Sequence, residues 1–169
     1  MKDKKKKKIN NKGFTLVELL ATISILAIIM LIAIPNVVGV VQKSRNKTYV
    51  EDAKKMISLA KYKVKSDVKI KDALGYGSVC ISLNYLDSGK EIKDAPNGGE
   101  YDTANSYVLV EKNYSDNSYD YSVQLLENDK DSNMQGLKKI SSEVLSNDNS
   151  YTKVNNSITS PSSCYGTKF

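Results

Sequence analysis

The sequence predicts an α+β fold, a long N-terminal α-helix packed on a small antiparallel β-sheet head. Three observations predict it. No charged residue falls between Glu18 and Lys43. Tyr49, Val50, Ala53, Met56, Ile57, Ala60 and Val64 then recur at spacings of three and four, the one-sided stripe of an amphipathic helix. From residue 66 onward the pattern breaks into short β-rich runs separated by Asn, Asp, Gly and Ser, and a helix laid on such a sheet is the α+β arrangement.

The apolar block comes first in the chain. It runs from Leu19 to Val41, interrupted by the polar side chains of Thr22, Ser24 and Asn36 alone. These 23 residues exceed the roughly 20 that a bilayer core requires. A secretory signal peptide has a shorter apolar core ending in a small-x-small site, and "LIAIPNVVGVV" offers no such site. The lysine-rich flank and the uncharged run also argue against a buried helix of a soluble protein. A membrane-spanning helix is therefore expected. Seven lysines precede the block and six basic residues lie within 42–61, a narrow margin for the positive-inside rule. The five consecutive lysines from Lys4 tip the orientation towards a cytoplasmic leader.

At this point the residues carry a resemblance. "KGFTLVELL" followed by a long apolar helix resembles the N-terminus of type IV prepilins and their pseudopilin relatives, over residues 4 to about 65. The resemblance implies that a membrane-embedded prepilin peptidase cuts between Gly13 and Phe14 and N-methylates Phe14. Glu18 then matches the family's acid five positions into the mature chain, and Pro35 a proline common in the middle of the pilin helix. The implied organisation is a basic leader over 1–13, a stalk helix over 14–65 and a globular head over 66–169. Within the stalk, 14–41 is the membrane and assembly part and 42–65 the amphipathic part. The implied protein is a structural subunit of a type IV pilus or related filament, not an enzyme. It is held in the cytoplasmic membrane before assembly and in a surface fibre after it. Its partners would be other pilin subunits, the peptidase, and a membrane assembly platform with its ATPase. Two alternatives stay open: a pseudopilin of a short DNA-uptake or secretion filament, and a surface binding or adhesion module on a permanent anchor.

Glu18 carries its own physical argument. A carboxylate taken into a membrane costs about 2.5–3.5 kcal/mol on insertion scales, so it is normally partnered. Cleavage would create an amine at Phe14, beside a helix start that already favours anions. If subunits stack with a small axial offset, that amine reaches the acid of a neighbour and both charges leave the lipid paired. The alternative is an acid that stays wet at the membrane edge. Pro35 removes a helix hydrogen bond and crowds the preceding turn. A kink is the minimum expectation, and the resemblance adds a weak point that bends or melts in the fibre. Phe14–Lys65 spans 52 residues, about 78 Å if helical throughout.

The head elements follow in order. "YGSVCISL" from Tyr76 reads as a strand, "NYLDSGKEI" as a helical turn and "DAPNGGEYD" as a loop. "SYVLVEK" and "YDYSVQLL" read as an antiparallel hairpin around "NYSDNS". "ENDKDSN" is a polar turn, "LKKISSEVLSN" is either a helix or a strand pair, and the tail from Asn155 reads as loosely ordered. Cys80 and Cys164 are the only cysteines. A head facing an oxidising exterior permits a disulfide between them, and many pilins tie a C-terminal loop in this way. Two unpaired buried thiols are the alternative.

Charge and composition narrow the function classes. The net charge of +6 is unevenly spread: residues 1–13 carry +6, residues 14–65 carry +5 and residues 66–169 carry −5. A domain that captures nucleic acid concentrates basic charge on its folded surface, so no direct nucleic-acid binding is expected. There is no histidine, no nucleophile motif and no phosphate loop. Asp129, Asp131 and Asn133 begin like a calcium loop, but Met134 stands where glycine belongs and Ile140 where the bidentate acid belongs. No metal or cofactor is expected. The eleven tyrosines are assigned to sheet packing.

Overall fold

A computed structural model describes residues 13–87, 91–92, 94–128, 134–158 and 160–169, without the side chains of Pro35, Asn36, Asn128 and Asn156. Helix α1 spans Leu16–Ser66, with Glu18 in its first turn and Lys63 and Lys65 in its last, charges that suit the helix dipole. The chain divides into two units, Met1–Val40 and Val41–Phe169. In the first unit every described side chain is exposed, including Leu20, Ile25, Ile29 and Val38. The second unit buries the predicted stripe, with Tyr49, Ala53, Met56 and Ala60 fully covered.

Asp67 ends α1 and starts the next helix. Its backbone is extended and its carboxylate accepts from the Lys69 amide, capping α2 (Val68–Leu74), the usual task of an acid at that position. The Tyr85 hydroxyl also donates to Asp67, at 2.5 Å, and holds its carboxyl below the usual range. Ile70 and Leu74 are the buried residues of α2. Strand β1 (Val79–Ser82) and the short helix α3 (Leu83–Leu86) follow, the latter capped by Ser82. Then come β2 (Glu100–Tyr101), β3 (Tyr107–Lys112), β4 (Tyr119–Asn128) and β5 (Met134–Ser141). The unit closes with α4 (Ser142–Leu145), a 3₁₀ turn at Ser150–Lys153, β6 (Asn155–Ile158) and β7 (Thr167–Lys168).

The strands form one sheet in the order β6-β5-β4-β3-β1-β7, with β2 added to β4. All pairs are antiparallel except β1 with β7. The predicted hairpin is present: β3 pairs β4 from Tyr107 opposite Gln124 to Lys112 opposite Tyr119. Alternation sorts its residues by face. Val79, Ile81, Val108, Val110, Val123 and Leu125 share one buried cluster with the α1 stripe, whereas Cys80, Tyr107 and Leu109 form a second cluster with Cys164.

That second cluster corrects the reading of the tail as loosely ordered. Residues from 160 onward lie over the far face of the sheet: the Tyr107 hydroxyl donates to the Ser162 carbonyl, and Gln124 both donates to and accepts from the Ser162 backbone. Cys164 is disulfide-bonded to Cys80 with their Cα atoms 6.2 Å apart, an ordinary separation for the bond. The Thr167 amide donates to Ser78 and the Phe169 amide to Cys80. Gly166 permits this approach; at φ +109, a Cβ there would lie 2.3 Å from the Ser78 carbonyl oxygen. The order comes from pairing with distant strands, so local polar composition gave no sign of it.

The segment from Gly136 resolves as strand then helix, with Ser141 capping α4 through the Val144 amide. Gly136 adopts φ +131 and packs against β4, where a Cβ would lie 2.2 Å from the Leu125 carbonyl oxygen. Most of the "ENDKDSN" turn, including Asp129, Asp131 and Asn133, lies outside the described residues. Met134 and Ile140 both belong to β5.

Candidate functional site

The chemistry-bearing stretch predicted at the N-terminus is Gly13 to Val41. Gly13 and Phe14 precede the helix; Phe14 is 86% exposed, and among the described residues nothing lies within 4 Å of where a Gly13 side chain would begin. The leader residues before Gly13 lie outside the described residues.

Thr15 caps the helix that follows. Its hydroxyl accepts from the Glu18 amide at 3.3 Å, while Glu18 Oε2 accepts from the Thr15 amide at 2.9 Å and the Thr15 hydroxyl at 2.8 Å. The Leu19 amide reaches the Thr15 carbonyl at 3.1 Å. This reciprocal arrangement is a capping box, which satisfies two of the orphan donors at a helix start. The sequence reading gave Glu18 to an amine and missed Thr15, although Thr-x-x-Glu before an apolar run was the signal. Glu18 Oε1 takes no bond among the described residues.

Beyond the box, the two hydroxyls of the block are satisfied by their own helix. Thr22 donates to the Leu19 carbonyl and Ser24 to the Leu20 carbonyl, each at 2.8 Å. A polar group that closes on its own backbone needs no external partner, so neither hydroxyl interrupts the apolar surface of the described side chains. Among the described residues α1 is the one helix long and apolar enough to cross a membrane. The helix includes Pro35, whose side chain lies outside the described residues.

The second unit holds a polar cluster that the sequence reading missed. Glu127 is 2% exposed. It accepts from the Tyr49 hydroxyl, from Asn97 Nδ2 at 3.2 Å and from the Gly99 amide at 3.0 Å. Asn97 in turn accepts from Arg45 at 3.3 Å. Beside it Tyr101 donates to Asp52 at 2.6 Å and meets Tyr49 edge-on. Burial pushes the Tyr49 phenol well up, helped by Glu127, and burial with Asp52 does the same to Tyr101. These phenols are fixed hydrogen-bond donors, and they tie the 94–101 segment and β4 to α1. A signal existed: Tyr121, Val123, Leu125 and Glu127 alternate along one face of β4, so the acid falls in line with core residues.

Among the described residues no group of three or more His, Cys, Asp or Glu side chains is placed to hold a metal. A family profile described as the prokaryotic N-terminal methylation motif matches residues 8–34. No curated protein and no solved structure matches the chain. The matched span contains Gly13, Phe14, Thr15 and Glu18 and most of the exposed apolar helix. With that motif leading into a long apolar helix and a small, mostly antiparallel sheet, the chain bears the signature of the type IV pilin and pseudopilin family.

Proposed function

We propose that this chain is the structural subunit of a type IV pilus or related filament. It is cut between Gly13 and Phe14 by a prepilin peptidase, N-methylated at Phe14, and assembled by packing of its apolar stalk. The observation that carries this reading is the first unit. Eighteen large apolar side chains between Phe14 and Val41 are exposed, and each costs about 1.5–3 kcal/mol to leave in water. A surface worth tens of kcal/mol does not stand alone in solvent. It resides in lipid, and then passes directly against other stalks.

Within a membrane, lipid is as apolar as the stalk, so association rests on close packing and polar contacts. Glu18 supplies the polar contact. Thr15 and Glu18 both follow Gly13, so the cut leaves the capping box whole, and Glu18 Oε1 remains for the amine of a neighbouring Phe14. Losing either partner strands the other charge. Pro35 gives the helix a point at which to bend on leaving lipid. The assembly platform and its ATPase supply the work of extraction, and the 66–169 head ends on the outer surface of the fibre.

Mass spectrometry of the N-terminus combined with electron microscopy of sheared surface material tests the proposal. Fibres built of chains beginning at methylated Phe14 are the expected result. Methylated chains without long fibres would assign the subunit to a short pseudopilin filament. An intact leader without fibres would make it a permanently anchored surface module and overturn the reading.

A further inference from the structure

The exposed side of the amphipathic part of α1 carries a pattern that neither the core nor the motif explains. Lys43, Lys47, Lys54, Lys61 and Lys65 follow one another at spacings of 4, 7, 7 and 4. At 100° per residue they fall within about 40° of arc, centred about 100° from the middle of the buried stripe, and form a ridge about 33 Å long. Three of the ammonium groups lie over aromatic rings: Lys43 and Lys47 Nζ are 5.0 and 6.0 Å from the Tyr151 ring centroid, and Lys61 Nζ is 5.4 Å from that of Tyr121. The one ion pair on the ridge, and the one among the described residues, joins Lys54 to Glu51. Asp148 lines the groove beside Lys47 and Lys54 without pairing.

The other side of the helix has the opposite character. Arg45 and Asp52 sit about 100° to the far side of the stripe, and the 94–101 segment is fastened there through Asn97 and Tyr101. Residues 87–102 carry five acids and two lysines. Asp87 spends both carboxylate oxygens on the Glu91 and Ile92 amides and Asp102 is buried, but Glu91, Asp94 and Glu100 are exposed.

We infer that the lysine ridge docks on the acidic flank formed by Glu91, Asp94 and Glu100 of a second copy of this chain. The two surfaces are opposite in charge and lie on opposite sides of one helix, so each copy can give its ridge to one neighbour and its acidic flank to another. Such a heterologous contact propagates as an open helical filament when its rotation does not close into a ring, and the filament reading takes the open case. Charge of this kind fixes which neighbour and which register are accepted more than it adds affinity. The inference rests on the filament reading above and supplies what the apolar stalk lacks. A surface that is greasy on all sides does not specify rotation, whereas a ridge meeting a flank does.

Charge reversal in the full chain, in cells carrying the assembly machinery, tests it. Lys47→Glu, Lys54→Glu and Lys61→Glu together are expected to reduce sheared fibres at least tenfold, as are Glu91→Lys, Asp94→Lys and Glu100→Lys together. All six in one chain are expected to restore fibres to within threefold of the unaltered protein. If that chain fails to accumulate, Lys54→Cys with Asp94→Cys decides instead, since fibres should then give a ladder of disulfide-linked multimers that neither single variant gives. Undiminished fibres from both triple variants, or fibres of the double-cysteine chain without a ladder, would overturn the ridge and leave the filament reading standing. Undiminished fibres with lost retention on anionic phospholipid vesicles would likewise overturn it, giving the ridge to lipid. An unaltered chain that makes no fibres at all strikes the filament reading itself.

Discussion

Residues 16–40 and residues 41–66 belong to the same helix, yet they meet their surroundings in opposite ways. In the first stretch no described side chain is covered, and its hydroxyls return to their own backbone. In the second, seven apolar side chains are buried, Tyr49 donates a hydrogen bond across to Glu127, and Asp52 accepts one from Tyr101. Backbone geometry does not separate them. The difference lies in what each half is built to touch: apolar residues without periodicity want an apolar environment all round, and a strict three-four stripe wants one partner on one side.

Substitutions at matched positions sharpen that contrast. The largest effect is expected in the covered half, where Met56→Ala leaves a cavity worth about 2–5 kcal/mol, read as a lower melting temperature of the detergent-solubilised chain. The same measurement on Ile25→Lys should return an unchanged head melt. That variant instead pays about 2.5–3.5 kcal/mol at the membrane, seen as loss of chain from the membrane fraction. Were Ile25→Lys to destabilise the head, the two halves would not be independent. Tyr49→Phe takes a donor from buried Glu127 and should cost about 1–3 kcal/mol, again in the head melt.

The smallest effects come from pH. Asp67 has its carboxyl lowered by the Tyr85 hydroxyl, so its contribution is present above the usual carboxylate pKa of about 4. The contribution fades as pH falls through the lowered value, and Tyr85→Phe should flatten that acid limb. Tyr49 and Tyr101 are shifted upward, so their contribution holds below about pH 10, where free phenols ionise. It is lost as pH climbs beyond that point, because the unfolded chain releases the protons first. Absorbance at 295 nm should then show these two phenols ionising together with unfolding.

The sequence disclosed the parts of this molecule whose signals are local. All seven residues of the α1 stripe are buried, and the β3–β4 hairpin pairs as its alternation suggests. Helix α2 escaped notice because it is only 7 residues long, although Asp67 marked its start. The tail escaped because "NNSITSPSSC" is polar and unpatterned, and its order derives from Gln124, Tyr107 and Cys80 far away in the chain. Similarly, nothing near Glu127 says that Asn97 and Tyr49 will be there to receive it. At the N-terminus the motif was plain, and the Thr15-x-x-Glu18 spacing of the capping box stood inside it, read only for its acid.

The sulfur bridge has a consequence for export. Cys80 sits in the first strand of the sheet and its mate 84 positions later, so for a chain exported as proposed above the lock cannot close until nearly the whole head has crossed to the oxidising side. Once closed, it fastens early chain to late chain and forbids unthreading. On the filament reading proposed above, the bridge would then act as a ratchet on translocation, turning a reversible passage through the membrane into a one-way delivery.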